Sequence, residues 1–125
     1  MAKELELLSK SYEEMTVVPA SAGSAGEFLT YSEVNGFLLV DISAAEVVLG
    51  ESRVLITKAE KVKCAKLAGA AWVAGEAVAF VVATSNVSNV IGADIVIGHV
   101  LEAALSADVV GYISFDGTLT YAMST

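Results

Sequence analysis

Short apolar runs separated by glycine-containing and polar steps follow one another along most of this chain, and in several of them the side chains alternate. Residues 95–105 and 109–115 are two such runs joined by Ser106-Ala107-Asp108, a link short enough to force an antiparallel hairpin. Val109, Ile113 and Phe115 keep a period of two around Gly111. Gly98 interrupts the first run, where a bulge or a close backbone crossing is the usual reason for a position without a side chain. Upstream, Asn35-Gly36 lies between runs at 28–31 and 37–42 and predicts a type I′ hairpin turn, because both residues tolerate positive φ. Runs at 46–49 and 53–57 flank Gly50-Glu51-Ser52 and predict two more strands, and 61–66 is a further strand with Val62, Cys64 and Lys66 on one side. Residues 65–74 set helix-favouring alanines around Gly69 and predict a short helical turn or an irregular link. Residues 77–83 form a strand, and 84–89 supply the polar punctuation of a turn beyond which 87–91 pair briefly.

This pattern predicts an all-β fold: a small antiparallel β-barrel or tulip-like single domain with at most one short helix. A chain of 125 residues builds one core and not two. Residues 1–14 are polar, with Leu5, Leu7 and Leu8 too few to hold a helix, and read as a flexible arm ahead of a β domain at 15–125. Gly26-Glu27, Gly50-Glu51 and Gly75-Glu76 recur 24 and 25 residues apart, each just before an apolar run, with Gly98 falling 23 further on. Each reads as a chain reversal into a new strand.

Composition adds a partner to this picture. The chain is 55% apolar with a mean hydropathy of +0.67, more than one domain of this size needs for its own core. The longest apolar run, 67–83, contains Glu76, Gly69 and Gly75, so no membrane span is expected. Glu4 and Glu6 stand where an export signal carries basic residues, so synthesis without export is expected. The net charge of -8 is unevenly spread: Arg53, Lys58, Lys61, Lys63 and Lys66 oppose only Glu60 within 53–66, and no Lys or Arg follows. So acidic a chain repels a polyanion, and nucleic-acid binding is excluded as a function. The five bases read either as a solvated strand edge or as a patch that contacts an acidic partner surface. Trp72, with Leu67 and Val73 beside it, is the expected anchor of a subunit interface.

No catalytic, cofactor or metal constellation emerges. The single histidine, His99, has Asp94, Glu102 and Asp108 at no metal-ligand spacing, and reads as a partly buried or interface residue. Cys64, without a disulfide partner, reads as a small buried hydrophobe despite its lysine neighbours. Ala22-Gly23-Ser24-Ala25-Gly26 lacks the Lys-Ser/Thr ending of a phosphate loop. An enzyme is not expected.

The order of several phrases resembles a known family. These are Val18-Pro19-Ala20, then Ala25-Gly26-Glu27, then the run from Lys63 through Lys66-Leu67-Ala68-Gly69-Ala70-Ala71-Trp72 into Ala74-Gly75-Glu76, and finally Ile97-Gly98-His99-Val100-Leu101-Glu102-Ala103-Ala104 ahead of a closing strand. Their order and spacing, over about residues 18–117, are similar to those of the capsid cement, or head decoration, proteins of tailed bacteriophages. His99 stands where the family's usual form carries an aliphatic residue. The resemblance implies a structural virion protein, often trimeric, made in the host cytoplasm, that binds the major capsid protein on the outside of the head and reinforces the shell. The alternative from another class is a small-ligand-binding or carrier β domain without catalytic activity.

Overall fold

The computed structural model describes residues 5–31, 34–90 and 95–117. Nine strands form one antiparallel sheet: β1 (Leu5–Leu7), β2 (Tyr12–Val17), β3 (Phe28–Tyr31), β4 (Val34–Leu38), β5 (Arg53–Ala65), β6 (Ala77–Val81), β7 (Asn86–Ser88), β8 (Ile95–Val100) and β9 (Val110–Asp116). The only helix among the described residues is α1 (Ala44–Val48). The fold is therefore all-β, as the alternating runs predict.

β5 organises the sheet. The segments expected as separate strands at 53–57 and 61–66 are one 13-residue strand, paired along one edge with β2 and then β1, and along the other with β4 and then β9. Beyond β9 the order runs β8, β6, β7. The sheet curls until β7 returns to the end of β5, where Leu67 donates its N–H to the carbonyl of Val87 at 2.8 Å. Stacking of Phe28 on Phe80, centroids 4.2 Å apart, brings the start of β3 onto β6. The core fills the curl, with Leu5, Phe37, Ile56, Val62, Ile97, Ile113 and Phe115 all at or below 1% exposure.

Three expectations are corrected. From Leu5 onward the first fourteen residues are laid on β5 in register, Leu5 opposite Cys64, and the expected boundary at 14/15 falls inside β2. The burial of Leu5 outweighs the polarity of its neighbours. The hairpin of β3 and β4 exists, but its last pair is Tyr31 with Val34, so Asn35-Gly36 lies inside the ladder. Asn35 is 3% exposed, its amide donating to Gly117 O at 2.9 Å and its Oδ1 accepting from Thr30 Oγ1 at 2.6 Å. Finally, the apolar run at 46–49 lies largely in α1 and does not form a strand. A capping box starts it, Ser43 Oγ accepting from Glu46 N–H at 3.2 Å and the Glu46 carboxylate accepting from Ser43 N–H at 2.9 Å. Gly50, at φ +71°, ends it with paired bonds from Gly50 N to Val47 O and Glu51 N to Glu46 O.

The chain also repeats itself. Gly26 N donates to Leu38 O while Leu38 N donates to Glu27 O; Gly75 N donates to Val100 O while Val100 N donates to Glu76 O. Three residues before these glycines, Gly23 bridges Ile42 and Trp72 bridges Ala104. The strands that follow match as well, Phe37 pairing with Ile56 as His99 pairs with Ser114. Gly36 and Gly98 take equivalent places, each pressed against the carbonyl of the residue that pairs with its successor, Ile56 and Ser114. Two like units thus share β5, which closes the first and opens the second. Of the three Gly-Glu steps, the first and third are equivalent turns into strands, and the middle one is the helix terminator.

A single carboxylate device makes these reversals. In each of Ser24–Glu27, Val73–Glu76 and Leu105–Asp108 the carboxylate accepts the N–H of the residue three before it, at 3.4, 2.7 and 2.9 Å, and the acidic residue's own N–H donates to that residue's carbonyl. The third turn shortens the last hairpin's first strand: it ends at Val100, five residues before the predicted Leu105, because 101–109 carry a bridge and a turn of their own.

Candidate functional site

Of the five bases expected as one patch, Lys58, Lys61 and Lys63 lie on the outward side of β5, while Lys66 turns into the core and Arg53 is held by neighbouring acids. β5 alternates, so Val62, Cys64 and then Lys66 point inward, as their spacing predicts. Lys66 is 2% exposed: its Nζ donates to the carbonyls of Asp108 (3.2 Å) and Leu67 (3.4 Å) and lies 5.6 Å from the centre of the Trp72 ring. Arg53 is taken up by Glu46 at 2.8 Å, by Glu51 at 3.4 Å and by the carbonyls of Asp41 and Ser52. Lys61 pairs with Glu102 at 3.2 Å across the Tyr112 ring, and Lys63 lies opposite Glu6 in the ladder. β5 is the centre of the sheet, so a solvated edge is not their setting either.

Trp72, expected as an interface anchor, is enclosed by its own subunit at 1% exposure. Gly111 makes the room, since a β-carbon there would collide with the indole ring. Leu67 is half-buried beside it and Val73 alone of the three is open, at 62%. Cys64 sits 2% exposed with its Sγ 3.6 Å from Gly111 O, and burial pushes its pKa up to about 12, so the reactive thiolate does not form near neutral pH. Among the described residues no three His, Cys, Asp or Glu side chains are placed to hold a metal, and no helix is long and apolar enough to cross a membrane.

A groove of about 410 Å³ crosses the outside of four adjacent strands, β2, β5, β9 and β8. Tyr12 and Glu13 line one end, Lys58 and Glu60 the middle, and Ser114 and His99 the far end, with Asp116 beside them. Glu13, Lys58 and Asp116 are register partners across three strands, so the lysine lies between two acids. The ladders are irregular where the groove forms: β5 carries an extra residue opposite Glu13/Glu14 and another between Ala59 and Val62, and β8 carries one at Ile97, next to Gly98. His99, expected to be partly buried or at an interface, is exposed on the rim, with its carbonyl accepting from Ser114 Oγ at 3.4 Å. Sequence reasoning missed this groove, because its residues lie on four strands whose registers only the folded sheet reveals.

No family model, curated protein or solved structure matches the chain.

Proposed function

We propose that this chain is a structural protein of a phage virion, binding the major capsid protein on the outside of the head, as a trimer, and stabilising the shell. One observation carries the reading. Large aliphatic side chains are left open at the ends of the strands: Val48 and Leu49 at the end of α1 at 86% and 74%, Val73 and Leu105 in like turns at 62% and 72%, and Val82 and Val109 at 66% and 64%. We take these side chains as the surface that a partner covers. A chain with net charge -8 keeps it soluble until the partner is met, because like-charged copies repel. The resemblance of its glycine and strand phrases, in order, to those of head decoration proteins is what suggests the identity of that partner. A small-ligand-binding β domain is the second reading, and the groove of about 410 Å³ favours it. Sedimentation of the purified protein with and without emptied phage heads separates the two: the first reading requires a trimer and stoichiometric co-sedimentation, the second neither.

A further inference from the structure

We infer that the groove across β2, β5, β9 and β8 is a docking site for an extended peptide segment of a partner protein that carries arginine or lysine side chains. The internal repeat shows what is special about this face. In the first unit the cross-strand pair is Phe37 with Ile56, at 1% and 0% exposure, sealed beneath the second unit. In the second unit the equivalent pair is His99 with Ser114, polar and open to the groove. The side chains of this pair stay hydrated until a polar ligand replaces the water.

Shape sets the length of the occupant. Four adjacent strands at the usual spacing of ~4.8 Å give a floor about 14 Å across, the length of roughly four residues of extended chain. The three register breaks fall in the strands that line this floor, where bulges bend and twist the sheet locally.

Charge sets its chemistry. Glu13, Glu60 and Asp116 line the groove against one cation, Lys58, and the whole chain at -8 adds to the attraction for a basic ligand. An acidic peptide or a nucleic acid meets the wrong sign at both ranges. A guanidinium suits the site best: it bonds carboxylates through two parallel N–H groups, and Tyr12, 40% exposed, offers a ring face beside Glu13.

The test uses the isolated full-length protein, ¹⁵N-labelled, and three blocked tetrapeptides with arginine, citrulline or glutamate at alternate positions. The arginine peptide should produce saturable amide shifts confined to Tyr12, Ala59, Gly98, His99, Ser114 and their neighbours. The citrulline peptide, of the same shape without the charge, should bind about tenfold more weakly, as should arginine peptide on the Glu13→Gln/Glu60→Gln double variant. Equal binding of the glutamate peptide, equal binding of citrulline and arginine peptides, or arginine shifts that spread over the surface without saturating would overturn the inference. No head takes part in the titration, so its failure leaves head binding to be judged separately, and failure of head binding leaves the groove's result standing.

Discussion

The ammonium of Lys66 lies 5.6 Å from the centre of the Trp72 ring, with both residues all but sealed from water, at 2% and 1% exposure. The pair joins the end of β5 to the irregular segment that follows it, and through Asp108 O to the turn before β9. Lys66→Ala removes the stem from the core and leaves two carbonyls without their donor, which should cost about 2–4 kcal/mol. Lys66→Met leaves the same two carbonyls without a donor but keeps most of the volume and carries no charge to bury, so it should cost less than alanine, about 1–2 kcal/mol. Urea unfolding followed by Trp72 fluorescence measures both; a loss below about 0.5 kcal/mol for the alanine variant would place Lys66 outside the core's support.

Gly36 and Gly98, with Gly117, should be the least replaceable glycines described. A β-carbon at Gly36 would lie 2.5 Å from Ile56 O, and one at Gly98 would overlap Ser114 O, so alanine at either position must push neighbouring strands apart and should cost about 3 kcal/mol or more. Gly50 has open space around it and a φ of +71°, so its alanine variant bears only the left-handed backbone penalty of about 1–2 kcal/mol. Midpoints of denaturant unfolding for the three variants should follow that order.

These glycines also mark how far the sequence can be read. The antiparallel strands, the glycine reversals at Gly26 and Gly75 and the crossing at Gly98 follow from local rules, because each is decided by residues adjacent in the chain. Asn35-Gly36 carries the same local signal as a hairpin turn, yet lies inside a strand because β5 approaches so closely that only glycine fits. Its equivalence to Gly98 is visible only once both pairings are known. The capping box at Ser43 and Glu46 is a local signal masked by the apolar run at 46–49, which reads as strand. The burial of Lys66 was half legible: the alternation through Val62 and Cys64 points it inward, while its charge argues for the surface. The groove was not legible at all, since its lining comes from four strands whose pairing is offset by extra residues on β5 and β8.

Acid should loosen the fold through its turns. Glu76 is held below the usual carboxylate range, chiefly by the Val73 N–H and then by Asn89; Glu46 is lowered by the Ser43 N–H and hydroxyl and then by Arg53. A carboxylate with a depressed folded pKa stabilises the fold above its unfolded value, near 4.5, and that contribution disappears as pH falls through the folded one. The thermal midpoint of the wild type should therefore fall below about pH 4.5, and less steeply in Glu76→Gln, which has no proton to take up. An identical acid limb in the variant would contradict the assignment.

Cys64 gives the opposite sign. Its thiol is neutral in the fold up to about pH 12, whereas in the unfolded chain it ionises near the ordinary value of 9.0. The stability this represents is intact below pH 9 and is lost progressively as pH rises from there towards 12. At pH 8 a thiol reagent should label the native protein at the rate of its opening and label it at once in denaturant. Rapid native labelling would show the residue to be accessible.

The central claim is that the open aliphatic side chains are the surface by which this chain joins its own copies and a phage head. The most direct measurement titrates purified protein onto emptied, expanded heads and counts bound copies, for the wild type and for Val73→Asp/Leu105→Asp and Val48→Ser/Leu49→Ser variants with wild-type unfolding midpoints. The account predicts saturation at a fixed number of trimers per head for the wild type, and at least about a tenfold loss of affinity in one of the variants. Binding that fails to saturate, or that is equally strong in all three proteins, would contradict it.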